Sequence, residues 1–210
     1  MDNLNLNDNI LSNNWNKRYN AQPDYVKKQL DELRVKEAKE FQLRVIKRKR
    51  KYPKKGDVFL LNPQENLYYK GVVVNNHINN INGEDLILIL ISDIEYKSIT
   101  DKDFSLNLRE LLISPALVGY EYWTRGYFYT IDNIGNLSIK ESYGFYSIGK
   151  KMFYDEYGNK LKQRPDIIGI YGVSTIVGIA REINREIIIK NKGINFRNKP
   201  WDFTEVTGKT

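Results

Sequence analysis

The sequence predicts an α+β protein: a mainly antiparallel, curved sheet or partial barrel, one packed C-terminal helix and a charged N-terminal helix. Three observations predict it. Short apolar and aromatic segments, separated by turn formers, run from Asp57 to Tyr171. The first of them stand as strand, short turn, strand, loop, strand, which is the order of an antiparallel meander. Two stretches, one on either side of that region, keep a helical spacing instead.

Taken in order, residues 1–22 are polar, with Asn at 3, 5, 7, 9, 13, 14, 16 and 20. They read as a flexible lead. Residues 24–48 read as one helix. Pro23-Asp24 gives the start signal, with Asp24 as N-cap, and strong helix formers follow from Gln29 to Glu40. Its apolar positions Val26, Leu30, Leu33, Phe41 and Val45 form a thin stripe broken at Glu37, the mark of an appendage or a surface helix.

Strand signals begin after Gly56. Asp57 to Leu61 is a strand, and Asn62-Pro63-Gln64-Glu65-Asn66 a turn. Leu67 to Val74 is a second strand, with Gly71 a bulge or close-packing point. A polar loop spans Asn75 to Asp85. Leu86 to Ile91 is six apolar residues in a row, which predicts a central strand buried on both faces. Phe104 to Ile113 reads as a short helix stopped at Ser114-Pro115.

Leu117 to Trp123 and Gly126 to Ile131 read as strands, Asp132 to Asn136 as a turn, residues 151–166 as irregular surface, and Ile167 to Tyr171 as a short strand. Ser174 is the expected N-cap of a helix over about 175–186, with Ile176, Ile179, Ala180 and Ile183 on one face. Glu186 to Lys190 reads as a final strand and 191–210 as a loose tail. The boundaries are therefore 1–22 lead, 23–51 charged helix and basic linker, 52–190 globular domain, 191–210 tail.

Composition narrows the chemistry. The chain has 210 residues and a formal net charge of +7, from 33 Lys+Arg against 26 Asp+Glu. Seven of the basic residues are Lys47, Arg48, Lys49, Arg50, Lys51, Lys54 and Lys55, and the remaining 26 equal the acidic count. The charge thus reads as a property of the linker, not of the domain. Without cysteine there is no disulfide, thiol chemistry or Cys-ligated metal. With one histidine, a His-rich metal site cannot form within the chain. No cofactor or metal is implied. No apolar run approaches a membrane span, and the start lacks a secretory leader, so the expectation is a soluble cytoplasmic protein with no membrane partner.

No catalytic motif survives inspection. Gly144-Phe145-Tyr146-Ser147-Ile148-Gly149-Lys150-Lys151 fits seven positions of a phosphate-binding loop, but Lys151 stands where Ser or Thr is needed and no helix follows. It reads as a strand end and a turn. His77, among Asn75-Asn76 and Asn79-Asn80, reads as an exposed loop residue without a local orienting carboxylate or nucleophile. Asp101-Lys102-Asp103 lacks the Gly and distal Glu of a calcium loop.

Two segments remain as candidate binding surfaces. The basic run is a solvated linker, a contact for nucleic-acid phosphates, or a dock for an acidic protein surface. The aromatic segment Tyr120 to Tyr129, read as a strand, places Trp123, Arg125, Tyr127 and Tyr129 on one face. Trp, Tyr and Arg dominate protein-binding hot spots, although core packing is the commoner use of aromatics.

Lys54-Lys55-Gly56-Asp57-Val58-Phe59-Leu60-Leu61, then Tyr69-Lys70-Gly71-Val72-Val73, then the strand from Leu86, resembles the opening of the immunity protein 26 family. Trp123-Thr124-Arg125-Gly126-Tyr127-Phe128, Tyr143-Gly144-Phe145-Tyr146 and Gly169-Ile170-Tyr171-Gly172 are also similar to it. The resemblance covers about residues 52–190. It implies an antitoxin of a bacterial polymorphic toxin system, not an enzyme, which binds a cognate protein toxin, and it carries over no catalytic residue. The alternative is a nucleic-acid-associated module that uses the basic run. Deleting residues 1–51 is expected to separate the two, leaving toxin neutralisation intact.

Overall fold

A computed structural model describes residues 9–100, 104–135, 137, 139, 141–194, 199 and 201. Three helices come first: α1 (Ile10–Asn20), α2 (Asp24–Val35) and the short α3 (Ala38–Phe41). Strands β1 (Asp57–Gln64), β2 (Leu67–Asn80), β3 (Gly83–Ile91) and β4 (Ala116–Val118) follow. A four-residue helix, α4 (Glu121–Thr124), leads to β5 (Tyr129–Asn133). Strands β6 (Tyr143–Ser147), β7 (Met152–Tyr154) and β8 (Ile167–Ile170) precede the long helix α5 (Ile176–Lys192).

The α+β architecture is as the sequence predicts. Strands β4-β3-β2-β1-β5 form one antiparallel sheet, and β7-β6-β8 a second in which β6 and β8 run parallel. The larger sheet stays open and does not close into a barrel. Alternation along β3 sets the layers. Ile87, Ile89 and Ile91 point into a core shared with α5 through Ile179, Ile183 and Ile187. Leu86, Leu88 and Leu90 point the other way, into a core shared with Phe145 and Ile167 of the second sheet. The expectation of a strand buried on both faces holds. Gly71 is a close-packing point: a Cβ there would lie 2.4 Å from Phe59 Cζ and 2.8 Å from the Leu90 carbonyl.

Several expectations are corrected. The lead is helical from Ile10, because Asn9 caps α1 by accepting from the amides of Leu11 and Ser12. The expected helix over 24–48 stops at Val35. Asp24 opens it as its first residue, with Pro23 in the cap position. Lys36 and Glu37 are extended, and Glu37 with Glu40 makes a capping box that starts α3 as a separate turn. The expected turn at 62–66 shrinks to Glu65-Asn66, and the expected loop at 75–85 is the bulged end of β2 and start of β3. Phe104–Ile113 contains only a 3-10 turn at Leu108–Glu110. Met152–Tyr154 is a strand rather than irregular surface.

At the C-terminal end, Thr175 rather than Ser174 caps α5, accepting from the amide of Gly178. Residues 186–190 continue that helix rather than forming a strand. Ile183 and Ile187 are one helical turn apart and both face the core, so the 3.6-residue period outweighs the β-branching of Ile187-Ile188-Ile189. Most of the expected loose tail lies outside the described residues, but Lys199 and Trp201 within it are buried, and the Trp201 carbonyl accepts from the Ile168 amide at 2.9 Å.

The division at residue 51 also fails. Leu33, Phe41 and Leu43 belong to the main core with Phe59, Trp123 and Ile183. Residues 42–50 are an extended strap seated on the sheet. The Arg44 amide donates to the Asn62 carbonyl, the Ile46 amide to Gly126 and the Lys49 amide to Trp123, at 2.8, 2.8 and 3.2 Å. A chain tied at three points, with Phe41 just before it and Leu43 within it buried in the core, is not a free linker.

Candidate functional site

The strap brings the two predicted surfaces together. It runs over the segment that joins α4 to β5, so the basic run lies beside Arg125, Tyr127 and Tyr129. Gly126 makes this approach possible: it has φ +84°, and a Cβ on it would lie 2.9 Å from the Lys47 carbonyl carbon and 3.0 Å from the Arg48 nitrogen. The ammonium groups of Lys47 and Lys49 sit 5.9 and 5.1 Å from the centroid of the Tyr129 ring. Tyr127 is held in place by a hydrogen bond from Gln42 Nε2 to its hydroxyl. A small cleft lined by Lys49, Lys51, Asp57 and Thr130 to Asn133 continues the strip.

Trp123 does not belong to this surface. Residues 121–124 form a helical turn, not a strand, so the alternation that set Trp123 beside Arg125 never arises. The indole is fully buried, packs edge-on against Phe59 and Phe128, and donates from Nε1 to Thr130 Oγ1 at 3.0 Å. Arg125 is exposed, while Tyr127 and Tyr129 are half-buried.

The electrostatics of the strip are one-sided. Lys47, Arg48, Arg50, Lys51, Lys54 and Lys55 are exposed and Lys49 half-buried. Among the described residues none of the seven is in an ion pair, whereas Arg44 just before them pairs with Glu65 at 3.4 Å. Asp57 and Asp132 share the cleft with Lys49 and Lys51 without pairing with them, so the field left for a partner is chiefly that of Lys47, Arg48 and Arg50. Lys49 is the exception in geometry, since its Nζ donates to the Thr130 carbonyl at 3.1 Å on the outer edge of β5.

His77 has the orienting carboxylate that its local sequence lacks. It sits on β2 at φ +53°, across the bulged ladder from Asp85 of β3 at φ +54°, and Nδ1 lies 2.6 Å from Asp85 Oδ1. Tyr52 stacks on the imidazole at 4.5 Å and donates to the same carboxylate oxygen at 3.0 Å. Burial, then the Asp85 hydrogen bond, push the Tyr52 hydroxyl up to about 12. Both His77 and Asp85 are exposed, and no serine, threonine or lysine side chain bonds to the ring among the described residues. The trio lacks a nucleophile and does a structural job: it pins the end of the strap. The signal in sequence was only the pairing of two turn-forming types, His and Asp, which tolerate the left-handed backbone.

The remaining motifs keep their bland readings. Gly144 to Lys151 is β6 and a tight turn into β7, with no helix after it. Asp101 and Asp103 lie outside the described residues. Among the described residues no group of three or more His, Asp or Glu is placed to hold a metal, and no helix is long and apolar enough to cross a membrane. No family model, no curated protein and no solved structure matches the chain.

Proposed function

We propose that the chain is a non-catalytic immunity protein that binds and neutralises a cognate bacterial toxin, and that an acidic face of the toxin docks on the strip formed by Lys47, Arg48, Arg50, Arg125, Tyr127 and Tyr129. The resemblance of residues 52–190 to immunity protein 26 supplies the class of partner. One observation supports the choice of surface: Lys47, Arg48, Lys49 and Arg50, none in an ion pair among the described residues, run alongside half-buried tyrosines on a strap that backbone hydrogen bonds tie to the core. A preorganised surface of Arg and Tyr loses little side-chain freedom on binding, which favours affinity.

The test is co-expression with toxins encoded beside the gene. The wild-type chain restores growth, and a Lys47→Gln, Arg48→Gln, Arg50→Gln variant, which alters only exposed side chains, loses most of that rescue. Failure of the wild-type chain to restore growth against any neighbouring toxin overturns the reading.

The same unpaired cations favour a second reading, a nucleic-acid-associated module. Phosphate contacts would give affinity without sequence selectivity, falling steeply with salt. Filter binding to duplex DNA and to RNA separates the two: the module reading requires binding that the triple Gln variant abolishes in the absence of any toxin.

A further inference from the structure

Seven buried side-chain nitrogen and oxygen atoms lack a hydrogen-bond partner among the described residues, and five of them cluster: Nε and Nη2 of Arg18, Nε of Arg185, Oε2 of Glu186 and Nε1 of Trp201. They lie where α1, α5 and the segment carrying Lys199 and Trp201 meet. Arg18 Nη1 donates to Glu186 Oε1 at 2.7 Å, and Arg185 Nε stands 3.8 Å from the same oxygen. Lys199 Nζ is 3.5 Å from Glu186 Oε2, and it lies 5.9 Å from the centroid of the Trp201 ring. Buried polar groups are normally satisfied, so a cluster of exceptions asks what fills it.

A cavity of about 220 Å³ opens against this cluster, walled by Leu11, Trp15, Ile148, Ile170, Arg185 and Trp201. A second cavity of about 570 Å³ shares Trp15 and Arg185 with it. The Arg185 guanidinium lies 3.9 Å from the centroid of the Trp15 ring, so stacking fixes its plane at the boundary between the two. The Trp201 indole is buried and lines the smaller cavity with its N–H unused.

We propose that this chamber binds a small monocarboxylate with an apolar body. The unfilled groups are four N–H donors against one carboxylate oxygen, and that oxygen already has Lys199 beside it. Two of the four donors, Arg185 Nε and Trp201 Nε1, belong to residues that line the chamber, so the site lacks an acceptor, and an anionic one gains most from the Arg185 guanidinium. Leu11, Ile148, Ile170 and the two indoles accommodate a ring or a short chain and disfavour a strongly hydrated ion such as phosphate, while Asn9, Ser12 and Ser114 complete the lining. Glu182 also lines the chamber and has no hydrogen-bond or ion-pair partner among the described residues. Burial pushes its carboxyl up from the ordinary range, against the pull of Arg185, and Glu186 adds to the rise.

The chain has three tryptophans, so indole N–H resonances of the full-length protein, assigned by single Trp→Phe variants, give a direct readout. Sodium benzoate is titrated against benzyl alcohol and inorganic phosphate. Benzoate moves the Trp201 and Trp15 signals saturably and leaves that of Trp123, which is bonded in the core, in place. Arg185→Gln weakens benzoate about tenfold or more, the effect of losing one charge-assisted hydrogen bond. Glu182→Gln retains binding. Absence of a saturable shift with benzoate, equal binding of benzyl alcohol, or stronger binding of phosphate overturns the proposal, and none of these comparisons depends on a variant folding.

Discussion

Arg18 and Glu186, 168 residues apart, form an enclosed ion pair: Nη1 donates to Oε1 at 2.7 Å, with side chains only 4% and 0% exposed. The pair joins α1 to α5, so the segment Ile10–Asn20 is part of the folded body. Removing Glu186 leaves the Arg18 guanidinium buried without its counter-ion, and removing Arg18 leaves Glu186 only the longer contacts to Lys199 and Arg185. Arg18→Met or Glu186→Gln should each destabilise the protein by roughly 3–5 kcal/mol. The double variant Arg18→Met, Glu186→Leu should recover part of that loss. Urea unfolding of the three proteins checks this, and additive losses would contradict it.

The same carboxylate sets an acid limit. Burial raises the Glu186 carboxyl, but Arg18, Lys199 and Arg185 together outweigh it and hold it below its ordinary value of 4.5. A folded-state pKa below the unfolded one adds stability that is fully present above the unfolded value and is lost as pH falls through the folded one. The thermal midpoint should drop more steeply for the wild type than for Glu186→Gln between about pH 5 and pH 2. Parallel curves would contradict this.

Lys49 guards an edge. The outer edges of the other terminal strands are covered: Ser174 bonds the Leu117 carbonyl on β4, Leu161 the Phe153 carbonyl on β7, and the Trp201 carbonyl takes the Ile168 amide on β8. On β5 the register slips at Ile131, the Lys49 ammonium occupies the Thr130 carbonyl, and the Asp132 carboxylate takes the Asn133 amide. Bulges, lysines and side-chain bonds of this kind stop edge-to-edge pairing. Lys49→Val should produce concentration-dependent association in light scattering, and a monodisperse variant would contradict the role.

Deletion of residues 1–51 should unfold the chain, not trim an appendage. It removes Val26, Leu30, Leu33, Phe41 and Leu43, all buried, and the strap that covers Trp123. Circular dichroism and cooperative melting decide this. A truncated protein with native melting would restore the independent domain that composition suggested.

What the sequence made legible is what period and burial control. Six consecutive apolar residues marked β3, and the stripe from Ile176 to Ile183 marked α5. Glu186 to Lys190 misled because three isoleucines favour strands locally, while their register with Ile183 is visible only once the helix is known to continue. Trp123 misled because strand alternation was assumed across a helical turn. The strap was illegible: a charged run resembles a linker, and its anchors, Asn62, Gly126 and the His77–Asp85 pair, are tertiary. The two candidate surfaces stand apart in the sequence, and only the strap joins them.

We propose that this strip receives an acidic toxin face. The measurement that tests this is the association rate of a toxin that the chain neutralises in co-expression, for the wild-type chain and for the Lys47→Gln, Arg48→Gln, Arg50→Gln variant, across ionic strength. Charge complementarity mainly accelerates encounter and is screened by salt. The wild-type rate should exceed that of the variant by about tenfold or more at low salt, and the two should converge at high salt. Equal rates with equal salt dependence would show that the toxin does not use the strip.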